Sequence, residues 1–497
     1  MTTPYFLALD QGTTSTRALL FDGKLRIIAT AQKAFTQFYP ENGWVEHDPE
    51  TIWQDSLEVL REALHTAKVK AAQVQALGIT NQRETTVLWD AATGGVLYRA
   101  IVWQDRRGAL LCERLKSEGH EPLIKAKTGL VLDAYFCASK IRWLLDHLPR
   151  AQQLMQQGRL CFGTIDSFLI WRLTRGERHV TDITNASRTL LFNIHTKHWD
   201  EELLALFNLD ASILPEVEEC AADFGLIHKD YFGSAIPIRG VAGDQQAASI
   251  GQCCFESGMA KCTFGTGAFL VQNTGTEVVA SEQLLSTVLY QIQGKLAYAL
   301  EGSIFVAGAA IQWLRDQLHF FTNSAESEAM AEALASNGGI YFVTALTGLG
   351  APYWKPKVRG AILGLTRDTS TAHITRAALE AVCYQTRALL ESMKAEGAPP
   401  CRHLRVDGGM VANDWLCQFL AEQLRIPIER PKIIETTALG AALLAGLGAG
   451  YWQGIHELEG LYHSERIFTA KSLPKVADEL YSGWQNAVNA IANWSLN

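Results

Sequence analysis

Residues 5–23 read Tyr5-Phe-Leu-Ala-Leu-Asp10-Gln-Gly12-Thr-Thr14-Ser-Thr-Arg17-Ala-Leu-Leu-Phe21-Asp-Gly23. A short apolar run ends in an acid, a polar Gly/Thr turn follows, and the strand pattern resumes over Thr16–Phe21. Asp22-Gly23 is a hairpin signal, after which Arg26–Phe35 reads as a third strand. Pro49–Ala67 is predicted helical: Asp48 is placed to cap it, Pro49 sits in its first turn, and Ile52, Leu57, Leu60 and Leu64 share an apolar face. Val74–Thr80 is again strand-like. Strands leading, with helices between later strands, predict an α/β fold with mixed sheets flanked by helices.

The second half opens in a comparable way. Gly258–Phe264 is an extended run, Gly265-Thr266-Gly267 is a turn, and Ala268–Gln272 continues as a strand. Later helices are predicted at Ile304–Leu318, Ile374–Lys394, Asp414–Leu424 and Thr437–Leu447. The last of these is Ala/Gly-rich and reads as a buried helix that permits close backbone approach. A boundary near Gly251 divides the chain into residues 1–250 and 251–497.

Composition narrows the function classes. Forty-four Lys+Arg against 52 Asp+Glu give a formal net charge of −8, and no basic run interrupts it, which argues against a nucleic-acid binder. Hydrophobic residues at 48% exclude wholesale disorder. The ten cysteines form no CxxC pair and read as thiols of a reducing cytosol rather than a disulfide framework. The window Ala333–Trp354 is uncharged, but Gly338, Gly339, Gly348, Gly350 and Pro352 interrupt it. The expectation is a soluble cytoplasmic protein without a signal peptide or transmembrane segment.

Four short segments carry chemistry. A carboxylate at a strand end such as Asp10 can hold Mg²⁺ through water, and a Gly turn lets backbone N–H groups approach phosphate oxygens. Thr13, Thr14 and Ser15 add hydroxyl donors, while Arg17 can pair with phosphate or with Asp10. Taken alone, this segment reads equally as a hydroxyl-rich hairpin. Asp407-Gly408-Gly409 through Asn413 follows the strand Leu404–Val406, where bare backbone can take a flat ligand or simply make a tight connection. Gly243-Asp244-Gln245-Gln246 places an acid in a Gly context. Arg83-Glu84 lies beyond a strand, a common ligand location in open α/β sheets. No GxxxxGK[ST] motif is present, and His195 and His198 read as a surface pair rather than metal ligands.

In combination these segments resemble the actin-like ATPase superfamily. Two longer patterns are similar to those of the FGGY carbohydrate kinases: Tyr135-Phe-Cys-Ala-Ser-Lys140-Ile-Arg-Trp143-Leu-Leu-Asp-His147, and Gly360-Ala-Ile-Leu-Gly364-Leu through His373-Ile-Thr-Arg-Ala377-Ala-Leu-Glu380. Cys137 stands where Ser, Thr or Pro is usual. Asn81-Gln-Arg83-Glu84-Thr-Thr86, Trp103-Gln-Asp-Arg-Arg107 and Gly243-Asp244-Gln245-Gln246 resemble the glycerol-phosphorylating members of that family.

The resemblance implies two ribonuclease-H-like domains facing each other across a cleft, with ATP, Mg²⁺ and glycerol as ligands. By similarity, Thr13, Thr14, Ser15, Arg17, Thr266 and Gly308 are near phosphates, and Gln312, Gly409 and Asn413 contact the nucleotide. Asp10 and Asp244 would orient Mg²⁺ through water. Glycerol would be bound by Arg83, Glu84, Tyr135, Asp244 and Gln245, with Trp103 and Phe269 as apolar walls and Asp244 as general base. Relatives suggest a homo-oligomer, dimer or tetramer. At the place of a regulatory loop in some relatives, Asp230-Tyr-Phe-Gly-Ser-Ala-Ile-Pro237 lacks the arginine associated with fructose 1,6-bisphosphate, and Asp230 occupies the position of a phosphorylated His.

Overall fold

The quoted stretch forms two strands of a sheet: β1 (Tyr5–Gln11) and β2 (Ser15–Asp22), followed by β3 (Ile27–Ala34). The computed structural model describes residues 4–355 and 357–492. Helix α1 (Pro49–Ala67) starts where Asp48 accepts a hydrogen bond from the Glu50 N–H at 3.0 Å, and its predicted apolar face is buried. Next come β4 (Val74–Asn81), α2 (Cys137–His147), β5 (Leu226–Ile227), β6 (Ile236–Gly243) and α3 (Asp244–Gly251). The first sheet runs β5-β6-β4-β1-β2-β3, with β6, β4 and β1 mutually parallel and β2 and β3 antiparallel. Central β1 is paired on both sides and buried along almost its whole length, which accounts for its unbroken apolar run.

A second sheet follows, built from β7 (Ala260–Phe264), β8 (Ala268–Gly275), β9 (Leu285–Ile292) and β10 (Lys295–Ile304). Helices α4 (Gly308–Asp316) and α5 (Thr371–Ala395) precede β11 (Leu404–Asp407). Helix α6 (Asp414–Leu424) and β12 (Ile428–Pro431) lead to α7 (Thr436–Gly448) and finally β13 (Ser464–Phe468). The sheet order is β9-β10-β8-β7-β11-β12-β13. Ile304 ends strand β10 and the helix begins only at Gly308, so the predicted helix start at Ile304 is corrected. A short buried apolar run fits either element, and here sheet pairing decides.

The chain forms two units, each with its own core. Unit 1 comprises Met1–Cys253, Ser286–Tyr298 and Thr436–Leu461; unit 2 comprises Cys254–Leu285, Ala299–Glu435 and Tyr462–Asn497. Residues 436–461, which a division at 250/251 leaves with the second half, therefore pack with the first. The reason is α7. It is buried nearly throughout and lies against α3 so closely that a Cβ on Gly440 would sit 1.8 Å from the Ala247 carbonyl oxygen. Only glycine permits that approach. No helix among the described residues is long and apolar enough to cross a membrane.

Candidate functional site

Because β1, β4 and β6 are parallel, their C-terminal ends share one edge of the unit 1 sheet. Gln11 is in register with Asn81, and Asn81 with Gly243. Each strand therefore hands over, at that edge, to one of the segments singled out in the sequence. After β1, the Gly12 N–H donates to the Ser15 carbonyl at 3.0 Å and closes the Gly/Thr turn. Asp10 faces Arg17 across the hairpin and pairs with it at 3.2 Å. Thr13, Thr14 and Ser15 are all solvent-accessible, so their hydroxyls are available to an anion.

After β4 comes Arg83, whose Nε donates to Asp244 Oδ1 at 3.1 Å and whose Nη1 donates to Gln246 Oε1 at 3.3 Å. Asp244 is the first residue of α3, directly after β6. The Arg83 side chain is 2% exposed and that of Asp244 32%, so the guanidinium is fixed in the interior while the carboxylate remains accessible. Asp244 Oδ1 also accepts the Gln245 N–H at 2.7 Å, as suits an acid in a first helical turn.

Glu84 adopts φ 60°, a left-handed conformation that turns the chain sharply after the strand. Its carboxylate accepts Arg188 Nε at 2.5 Å, with both side chains almost completely buried. The Arg188 guanidinium in turn lies 5.6 Å from the Tyr135 ring centroid and 5.3 Å from that of Phe136. Trp103 meets Tyr135 edge-on at 5.6 Å and donates its indole N–H to Thr13 Oγ1 at 3.0 Å. The Trp103 segment is held below by Arg107, which pairs with Glu46 and Asp105, each at 2.8 Å, and stacks 3.9 Å over Trp44.

A buried polar layer supports this edge. The Gly243 N–H donates to Thr184 Oγ1 at 2.9 Å, and the Thr184 hydroxyl donates to Asp182 at 2.7 Å. Asn185 links Asp182 to Asn81 at the end of β4. Burial, reinforced by the Asp182 charge, pushes the Asp166 carboxyl up to about 7, and Asp182 is raised by burial as well. His47, buried beside Gln82, is pushed down to about 4 by desolvation.

Unit 2 presents its own turn. The Gly265 N–H donates to the Gly267 carbonyl at 2.9 Å, and the Ala307, Gly308 and Ala309 N–H groups donate to the carbonyls of Thr266, Gly265 and Thr266. Thr266 and Gly308 are thereby brought together at the start of α4, which also carries the exposed Gln312. A Cβ on Gly409 would meet nothing within 4 Å, so that backbone is open to a ligand. Asn413 caps α6, its side-chain oxygen accepting the Leu416 N–H at 2.8 Å. Phe269 lies on β8 in unit 2, whereas the other glycerol contacts expected from the sequence lie in unit 1.

Arg83, Asp244, Asp10 and Arg17 are thus brought into direct contact in pairs, and Trp103 joins Tyr135 to Thr13. Gln245, which follows Asp244 in α3, is largely buried. Sequence reading left Arg188 and Lys140 without a role. Arg188 follows no motif, and Lys140 sits inside a recognised pattern with no chemical cue to its partners. Among the described residues, no three His, Cys, Asp or Glu side chains converge as a metal cage. With Asp10 and Asp244 each already ion-paired, the residues suit a Mg²⁺ ion carried by phosphates and held through water.

Family models place the chain. The N-terminal domain of the FGGY family of carbohydrate kinases matches residues 5–251 and its C-terminal domain residues 260–449. The chain is 55% identical to glycerol kinase 1 of Pseudomonas aeruginosa, covering 98% of this chain and 99% of that protein. It is equally similar to a glycerol kinase of Alcanivorax borkumensis, at 55% identity over 99% of both. Among solved structures, Plasmodium falciparum glycerol kinase with ADP superposes with a TM-score of 0.93 at 37% identity, over 98% of each chain. Matched in both halves and over nearly its whole length, the chain belongs to the FGGY family of carbohydrate kinases.

Proposed function

We propose that this chain is an ATP:glycerol 3-phosphotransferase, moving the terminal phosphoryl group of ATP to glycerol to give sn-glycerol 3-phosphate. The 55% identity to glycerol kinases over nearly the full length supports the acceptor. The observation that carries the mechanism is the Arg83–Asp244 pair, with a buried guanidinium and an accessible carboxylate.

Glycerol presents a row of hydroxyls, each a donor and an acceptor. An Arg fork beside the carboxylates of Glu84 and Asp244, with Tyr135 and Gln245, satisfies them, and Trp103 covers carbon. Losing one such partner costs about 1–3 kcal/mol of binding, because a buried polar group is left unpaired. Asp244 is the general base. As the terminal hydroxyl oxygen forms its bond to phosphorus and the bond to the ADP oxygen breaks, the hydroxyl proton passes to the Asp244 carboxylate. The Arg83 contact keeps that carboxylate oriented.

On unit 1 the Gly12–Ser15 turn with Thr13, Thr14, Ser15 and Arg17 offers phosphate donors; unit 2, taken by itself, offers Thr266 and Gly308. Gln312, Gly409 and Asn413 supply the remaining contacts. Asp10 and Asp244 would hold Mg²⁺ through water, and that ion when bound neutralises phosphate charge.

The test is ADP release with ATP, Mg²⁺ and a panel of glycerol, dihydroxyacetone, erythritol and xylulose. Glycerol is expected to give the highest kcat/KM, and another acceptor exceeding it overturns the assignment. Asp244→Asn is expected to cut kcat by orders of magnitude with nucleotide affinity nearly kept. Near-normal turnover in that variant removes Asp244 from the role of base.

A further inference from the structure

Lys140 is a fully buried cation that the phosphoryl-transfer chemistry does not use. It lies in the first turn of α2, at 0% exposure, within a long motif whose other residues mostly pack. Its Nζ donates to the carbonyl of Glu84 at 2.9 Å and to the carbonyl of Tyr135 at 2.6 Å. These two segments are 51 residues apart in sequence, and both carry side chains assigned above to glycerol. Both hydrogen bonds go to carbonyls rather than to a carboxylate.

Such a group is costly. Desolvation disfavours the ammonium and draws its pKa below that of an exposed lysine. An apolar side chain of similar volume would avoid that penalty but would take a donor from each of the two carbonyls. Burial alone therefore does not account for a lysine here. Geometry does: an amine carries at least two N–H donors in either protonation state, enough for both carbonyls. Glu84 also sits at φ 60°, a conformation that persists only where its surroundings over-determine it. The Cys137 thiol and the Thr86 hydroxyl donate to the same Glu84 carbonyl, at 3.4 and 3.2 Å. They are weaker or more local than the lysine. Arg188 also touches both segments, through the Glu84 carboxylate and the Tyr135 ring, whereas Lys140 holds the backbone of both.

We propose that Lys140 is a positioning residue for the acceptor, a clamp that fixes the backbone at Glu84 and Tyr135 so that their side chains are held ready for a polyol. The proposal rests on the reading of Arg83, Glu84 and Tyr135 as the glycerol site. It also assigns the Tyr135–His147 motif a job: α2 carries the clamp, and the loop before it carries the aromatic ligand.

The experiment compares Lys140→Met, Lys140→Gln and Arg83→Ala in steady-state kinetics and thermal melting of the full chain. Lys140→Met is expected to raise the glycerol KM about tenfold or more, with the ATP KM changed less than about threefold and the melting temperature lowered only modestly, since two carbonyls each lose one donor. Lys140→Gln, with an amide that can still donate to one carbonyl, is expected to fall between the two, and it serves alone should the Met variant not fold. An unchanged glycerol KM in the Gln and Met variants, or glycerol and ATP KM rising together, overturns the clamp. Arg83→Ala separates the two levels of the argument. If it raises the glycerol KM while the Lys140 variants do not, the clamp alone fails; if it leaves the glycerol KM unchanged, the location of the site fails.

Discussion

Gly243 shows how far one residue can reach into the site. A Cβ at this position would lie 2.7 Å from both Cδ and Cγ of Arg83. The Arg83 stem is buried and held at its tip by Asp244 and Gln246, so it has little room to yield. Gly243→Ala is therefore expected to displace the guanidinium and raise the glycerol KM about ten- to a hundredfold, the equivalent of one lost buried hydrogen-bond partner. Global stability should fall only modestly, since the clash is with a side chain rather than backbone. Steady-state kinetics decides it, and an unchanged glycerol KM would show that the Arg83 position is not what binding requires. Much of this neighbourhood was legible in the sequence, because charged residues next to glycine at strand ends are unusual enough to stand out. Asp244 stands out that way, whereas Arg83 and Glu84 stand out by their place beyond a strand end together with the family resemblance. Arg188 and Lys140 do not, because their partners are distant in the chain and a buried cation has no local pattern. The Asn413 side-chain oxygen caps α6 by accepting the Leu416 N–H, a role its sequence context does not announce.

Elements tell a similar story with a different limit. The two strand–turn–strand units near Gly12 and Thr266 were legible because a glycine turn between apolar runs leaves few alternatives. Helix α1 is legible in the sequence from its cap, Asp48, whereas the capping role of Asn413 at α6 is seen only in the structure. Ile304, the last residue of β10, reads as helix in the sequence because a lone buried apolar residue at an element end does not separate the two. The place of α7 could not be read from spacing, because its partners β4, β6 and α3 lie 200 to 360 residues earlier, about what the ranges of these elements imply. Its glycine content did announce close contact, and Gly440 is the position where this is testable. Gly440→Ala would place a methyl group 1.8 Å from the Ala247 oxygen and 2.6 Å from its carbonyl carbon, forcing α7 and α3 apart. The expected cost is about 1–3 kcal/mol or more, since two backbones must move. Because Asp244 begins α3, turnover should fall with the melting temperature. Gly460→Ala is the matched control: its φ is −69° and the nearest atom to a Cβ there is 3.7 Å away. Equal melting temperatures for the two variants would mean that the helix crossing adjusts freely.

At the scale of the whole molecule, two buried groups in unit 1 oppose each other in their response to pH. His47 is held near pKa 4 by burial, against about 6.5 in the unfolded chain. Between these values the unfolded state binds a proton that the folded state does not, so His47 contributes stability that is present above pH 6.5 and lost as the pH falls to 4. Asp166 is raised to about 7 by burial and by Asp182, against about 3.8 for an exposed aspartate. Over that window the folded state keeps a proton that the unfolded state has released, so Asp166 favours folding at low pH and its contribution is lost as the pH rises towards 7. Each slope is about 1.4 kcal/mol per pH unit, and between pH 4 and 6.5 they cancel. The parent protein should therefore show a nearly flat contribution from this pair, and single variants should uncover the hidden slopes. Asp166→Asn mimics the protonated acid, with an amide that can still meet Thr164, Thr181 and Asn81, which surround the carboxyl. It is expected to be more stable than the parent at pH 6.5 and to lose stability on acidification. His47→Gln is expected to do the reverse, gaining stability relative to the parent as the pH falls from 6.5 to 4.5. Urea midpoints at the two pH values, followed by tryptophan fluorescence, measure both. Parallel shifts of all three proteins between pH 6.5 and 4.5 would show that neither group titrates differently on folding, and would leave the acid response of the molecule to its exposed carboxylates.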